Sequence, residues 1–331
     1  MAVKLVTDST VSLTKEEQEK YDISKVTLFI VSEGVSTPEV EMDYFEYYER
    51  LRDLDNLPTT SQPTTASFIE AFTTALDKGD DVLAVLVSAG LSGTVEGAET
   101  ARAHIESQRP DAVGRIAIVN SQSNGMGLYY PLMEAAKLAK DGADLETCRQ
   151  RAEFVTSCTR FLFAPTSLEH LRKGGRLGRA SAMLGSALKM FPILGPDKWT
   201  GAVHVYAKVR TYPKALMTIK DKMLEDAEIS GGLKALCVHY IAEKAEAENF
   251  LEKVVQPAVN IRASLEPIAP TVGTHVGPAV GIAYQMFNPV LKEDLQGMGL
   301  VGGAASKARE RIQEIRSNVS GKMDELGRPG K

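Results

Sequence analysis

Hydroxyl-bearing, acidic and amide residues gather at three points of this 331-residue chain: Asp8-Ser9-Thr10, Ser88–Thr94 and Asn120–Gly127. Each follows an apolar run and leads toward a helical pattern. Such a place can grip an anion, because the first N–H groups of a helix lack intrahelical partners and its dipole favours negative charge there. Ser92 can add a hydroxyl to those amides. Gly90 and Gly93 beside it let the backbone approach closely or adopt positive φ. Thr60 and Ser61 stand at a comparable point before a helix at 66–76, where Pro63 restricts the turn. Capping is the plainest alternative for all of these hydroxyls. A rival reading makes Ser92 the nucleophile of a small hydrolase or transferase, yet Ser92 lies outside a GxSxG elbow, and no His-Asp pair is placed by sequence to activate it.

The other chemistry-bearing residues are fewer. His275 sits between Gly273 and Gly277, whereas His104, His170, His204 and His239 have no partner pattern and read as structural. Arg172, Lys173, Arg176 and Arg179 form a basic cluster, either a solvated face or a docking patch for an acidic partner. The KGGRLG run among them follows a helix, so it lacks the strand-then-helix order of a phosphate loop. Gly174 and Gly175 are instead expected to stop that helix.

The elements that must position these groups alternate. Strands are expected at 3–8, 25–31, 82–88 and 115–119, the last two as apolar runs covered on both faces. Helices are expected from a Thr14/Glu17 capping box, over 43–54 with Asp43 as cap, over 66–76 with a Ser67/Glu70 box, and over 93–107. This order implies an open α/β domain with a mostly parallel sheet over residues 1–155, and ligands of such sheets sit at the carboxyl ends of the strands. From 156 to 285 the texture is α+β. Helices are expected over 168–173, 180–191, 213–227 and 243–256. Strand-like pieces are expected at 192–194, 202–211 and 235–241, with short β-like runs near 261–284. Residues 286–331 read as a linker and an amphipathic tail helix.

Composition narrows the function classes. Apolar residues are 44% and charged residues 24%, the balance of a globular protein. The formal net charge of −5 argues against a broad nucleic-acid surface. No window supplies the roughly 18 uninterrupted apolar residues of a membrane span, and the N-terminus lacks a secretory pattern. Three cysteines, Cys148, Cys158 and Cys237, without CxxC spacing suit buried thiols of a cytoplasmic protein.

Taken in order, TDST (7–10), TSQP (60–63), GLSGT (90–94), and LEHLRKGGRLG (168–178) followed by GTHVGP (273–278) resemble the DegV family across roughly residues 3–285. The resemblance implies a non-catalytic carrier of a long-chain fatty acid, held between an α/β and an α+β domain, with no cofactor. In some members a partner fatty acid kinase phosphorylates the presented carboxylate. Carried over by residue, Thr60 and Ser92 match the hydroxyls that hold the carboxylate, with Ser61 and Gly93 beside them. His275 matches a histidine near the head group, and Arg210 a basic residue there. Arg172, Lys173 and Arg176 would then face the kinase. Burial of an acyl chain of about sixteen carbons contributes roughly 11 kcal/mol gross, at about 0.8 per methylene. The tail would therefore supply affinity and the head donors orientation.

Overall fold

The computed structural model describes residues 2–52, 57–178, 180–184 and 190–290. The chain opens with β1 (Val3–Asp8), α1 (Lys15–Lys20), β2 (Ser24–Val26), β3 (Phe29–Ser32), β4 (Val35–Pro38) and α2 (Tyr44–Arg52). It continues through β5 (Thr59–Ser61), α3 (Thr65–Asp77), β6 (Asp81–Leu86), α4 (Thr94–Gln108), β7 (Ile116–Asn120), α5 (Gly125–Lys140) and α6 (Leu145–Ser157). Next come β8 (Thr159–Pro165), α7 (Glu169–Lys173), α8 (Ala180–Leu184), β9 (Phe191–Pro196), β10 (Val203–Val209) and α9 (Tyr212–Ser230). The last elements are β11 (Leu233–Ile241), α10 (Lys244–Phe250), β12 (Ser264–Pro267), α11 (Pro270–Val276) and β13 (Ala279–Met286).

The α/β class expected from the sequence holds. Strands β2-β1-β6-β7 form a parallel sheet in that order, with Leu5 opposite Leu83 and Leu83 opposite Ala117. Alternate residues serve opposite faces. Leu5, Leu83 and Val85 pack under Leu128 and Leu132 of α5, while Val6, Ala84 and Leu86 pack under Phe68 and Phe72 of α3 and Ala98 of α4. A second sheet, β10-β9-β8-β13-β11-β12, is antiparallel except for its β11–β12 edge. Both sheets lie within one compact unit, Met1–Asn288. The expected tail helix lies outside the described residues.

Three expectations are corrected. The run 25–31 is not one strand: β2 joins the parallel sheet, whereas β3 joins a small antiparallel sheet, β4-β3-β5. The break falls at Leu28, whose N–H is taken by the Ser9 hydroxyl at 2.8 Å rather than by a strand. Helix α3 is capped by Thr64, which accepts from the Ser67 N–H at 3.1 Å, so Ser67 lies inside the helix. The third correction is α11, where only short β-like runs were expected. Its own N-cap residue, Ala269, offers no side chain, and Glu39 supplies the missing acceptor from across the fold by taking the Thr271 N–H at 2.6 Å. The capping box of α1 forms as expected.

Candidate functional site

Two buried carboxylates fix the geometry at the carboxyl end of β1. Asp8 accepts the Thr10 N–H at 3.0 Å and the Thr10 hydroxyl at 2.6 Å on one oxygen, and the Val87 N–H at 2.6 Å on the other. It thus ties the first polar loop to the loop after β6. Ser9 donates to Glu39 at 2.5 Å, and Glu39 also accepts the Thr271 hydroxyl at 2.6 Å. Burial pushes both acids above the usual carboxylate range, opposed by these donors. Glu39 was not singled out by sequence reading, since an acid followed closely by Glu41 and Asp43 looks solvated.

These ties bring the β5, α4, α7 and α11 segments around one cavity of about 300 Å3. Its polar wall carries Thr60, Ser61, Gln62, Ser92, His275 and Arg176. Its apolar wall includes Leu28, Leu91, Phe163, Leu171, Val203 and Val276. A smaller apolar void, bounded by Phe161, Ile241 and Ile268, shares Phe163, Val272 and Val276 with it.

Thr60 lies on β5, opposite Ile30 of β3, rather than at the end of the parallel sheet. Its Oγ1 is 2.7 Å from His275 Nε2. His275 is pushed down to about 4 by burial, with Arg176 and His170 adding to the effect, so the ring is neutral at pH 7. Its Nδ1 is buried without a hydrogen-bond partner among the described residues. An orphaned lone pair is better tolerated than an orphaned N–H. The favoured tautomer therefore donates from Nε2 to Thr60 and leaves the Thr60 hydroxyl proton free for the cavity.

Ser92 precedes α4, and its hydroxyl is 2.8 Å from that of Thr94. Helix α4 runs fifteen residues, yet Gly93 at its N-cap gives no side-chain hydrogen bond. Ser92 and Gly93 bring this end of α4 to the cavity, where Gln62 Oε1 lies 2.1 Å from the position of a Cβ at Gly93. Gly90 and Gly93 have ordinary negative-region φ, so the expected positive φ is absent. Close approach does hold at Gly90, where a Cβ would sit 2.3 Å from the Ala202 nitrogen.

Arg176 departs from its expected place on an outward patch. It is half-buried in the cavity wall, donating to Gly174 O at 2.7 Å and Leu91 O at 3.4 Å. Among the described residues no carboxylate pairs with it, and burial lowers its pKa. Arg172 and Lys173 are exposed, the latter 2.8 Å from Glu169, and Arg179 lies outside the described residues. Arg210 is exposed at the end of β10 and does not line the cavity. The Gly-Gly turn before Arg176, with Gly175 at φ +72°, was the signal that the chain reverses and sends this one arginine inward.

A family model described as "Uncharacterised protein, DegV family" matches residues 2–286. A DegV domain-containing protein of Clostridium perfringens is 35% identical over 285 residues, 86% of this chain and 99% of that protein. The fold is similar to the crystal structure of DegV, a fatty acid binding protein from Bacillus subtilis. That match has a TM-score of 0.75 and 29% identity over 86% of this chain and 99% of the other. A fatty-acid-binding DegV family protein from Thermus thermophilus matches with a TM-score of 0.73 at 27% identity, covering 86% of this chain and all of its own.

Proposed function

This chain belongs to the DegV family, and we propose that it binds a long-chain fatty acid and presents the carboxylate without catalysing a reaction of its own. The observation that carries the reading is a largely apolar cavity whose polar wall gathers Thr60, Ser92, Gly93 and Arg176 at the end where α4 begins. A ligand carboxylate there would serve as the cap. Ser92 and Thr60 would donate to it, with Ser61 and Gly93 lining the same end, and Arg176 would supply the one full positive charge. A buried carboxylate without such donors would protonate instead. The tail would run along Leu28, Leu171 and Val276 toward the void beside Phe163. His275 would act through Thr60.

The same arrangement disfavours the nucleophile reading. His275 is engaged by Thr60 and Ser92 by Thr94, so among the described residues no histidine is hydrogen-bonded to Ser92. In the finer form of the proposal, a cytoplasmic fatty acid kinase phosphorylates the presented head group, and exposed Arg172 and Lys173 face it. No helix among the described residues is long and apolar enough to cross a membrane.

The test is mass spectrometry of an organic extract of the purified protein, then titration of the delipidated protein with palmitate. A fatty acid in the extract and saturable binding that weakens in Arg176→Ala support the proposal. An extract without lipid, together with no saturable binding, sinks it.

A further inference from the structure

A second cleft of about 320 Å3 lies between α5 and the β11–β12–β13 end of the second sheet, and it shares no lining residue with the cavity above. Its floor is apolar, built from Met126, Tyr130, Met133 and Leu236. Into that floor is set Gln285, which is 4% exposed. The Gln285 backbone pairs in the sheet between β8 and β11. Gln285 lines the cleft, and its side-chain amide makes no hydrogen bond among the described residues while remaining reachable from the cleft. An amide held at the bottom of a cleft and reached from it is met by water or by a polar atom of a ligand.

The described rim residues carry an excess of positive charge. Lys137, Lys234 and Arg262 line the rim against a single carboxylate, Glu134. That carboxylate is already spent: it accepts from Lys234 at 2.8 Å, Lys137 at 3.2 Å and, from behind, Arg151. Burial alone would raise the Glu134 pKa, but these cations hold it down at about 2. Arg262 is exposed and has no ion pair among the described residues. Glu17, bonded to the Tyr129 hydroxyl, and Glu266 both act on Tyr129, but neither lines the cleft. Positive charge is therefore left over at the mouth, above an apolar floor with one unanswered amide.

We propose that this cleft is a second binding site, separate from the acyl cavity, for a small amphipathic organic anion. Its apolar body rests on Met126, Met133 and Leu236, a polar atom meets the Gln285 amide, and its anionic group lies between Arg262 and Lys234. Water alone would satisfy the amide but would leave the cation excess and the apolar floor without a counterpart.

The test uses the full chain preloaded with palmitate and titrated with 8-anilinonaphthalene-1-sulfonate, followed by fluorescence. Its uncharged relative N-phenyl-1-naphthylamine is the control for charge. One saturable sulfonate site is expected to remain after palmitate loading, with the uncharged probe binding about tenfold more weakly. Arg262→Glu and Gln285→Met should each weaken the sulfonate by about tenfold or more and leave palmitate affinity unchanged. Absence of saturable sulfonate binding in the loaded protein overturns the proposal, as does an affinity that Arg262→Glu, an exposed and fold-neutral change, does not move. If palmitate itself fails to bind, the carrier reading falls, while the Arg262→Glu comparison still decides this one.

Discussion

Replacing Thr60 by valine removes one hydroxyl at nearly constant volume and strikes two partners at once. In the empty protein it strips His275 Nε2 of its 2.7 Å contact, and Nδ1 already has none, so a half-buried ring is left without a hydrogen bond. That costs about 1–3 kcal/mol of stability. In the complex it also removes a donor to a charged head group, which weakens binding by about 1.5–3 kcal/mol, or roughly 10- to 150-fold in Kd. The tail, at roughly 11 kcal/mol gross, keeps binding measurable. Ser92→Ala should weaken binding similarly but cost less stability, because its partner Thr94 remains beside the first N–H groups of α4, which lack intrahelical partners. Calorimetric titration of delipidated protein with palmitate and with its methyl ester separates head from tail. The Thr60→Val penalty should be present for the acid and absent for the ester. A variant that binds palmitate within about twofold of the parent, or loses acid and ester equally, refutes the head-group assignment.

Other outcomes follow from the same contacts. His239 is fully buried, with Nδ1 3.0 Å from the Glu266 carbonyl and Nε2 accepting the Met126 N–H at 3.0 Å, so only the neutral ring fits. Burial pushes it from 6.5 down to about 4, so the unfolded chain binds the extra proton first and stability falls as pH drops from 6.5 to 4. The loss is about 3 kcal/mol; urea midpoints should show it, and His239→Gln, although less stable at pH 7, should show a shallower fall. Gly90→Ala should destabilise by about 1–3 kcal/mol, because its Cβ would meet backbone atoms of Thr200, Gly201 and Ala202 at 2.3–2.4 Å; thermal unfolding without a shift would contradict the close approach. Charge reversal at exposed Arg172 and Lys173 should slow acyl-phosphate formation by a kinase and leave palmitate affinity intact; loss of palmitate binding would show that the patch belongs to the pocket.

Much of the scaffold was legible because its strands are covered on both faces. The runs that became β6 and β7 need no partner information to be read as buried strands. The site was legible only where local pattern and tertiary role coincide, as at Ser92 before α4. Helix α11 was hidden because PTVGTHV carries four β-branched residues and a glycine, and its first turn is capped by an acid 232 residues away. Its middle glycine is required by Tyr48, whose hydroxyl would lie 2.3 Å from a Cβ at Gly273. Neither partner can be inferred from the segment itself. Arg176 was misplaced for a related reason. Charge clustering along the chain grouped it with Arg172 and Lys173, but burial is decided by the turn and by the carbonyls of Gly174 and Leu91 that receive it.

The buried acids have a consequence for where a head group can sit. Five hydroxyl residues line the cavity, namely Thr10, Thr60, Ser61, Ser92 and Thr271. The protons of two are committed: Thr10 donates to Asp8 and Thr271 to Glu39. Those hydroxyls turn their protons to the buried acids, so a carboxylate finds no hydroxyl donor there. The protons of Thr60 and Ser92 remain available, the first because His275 can donate to Thr60 and the second because Thr94 can donate to Ser92. Arg176 and Gly93 line the same cavity. Asp8 and Glu39 thus do more than brace loops. By taking protons from one set of hydroxyls they leave Thr60 and Ser92 as hydroxyl donors, and under the proposed function this would orient the ligand head-first toward that end of the cavity.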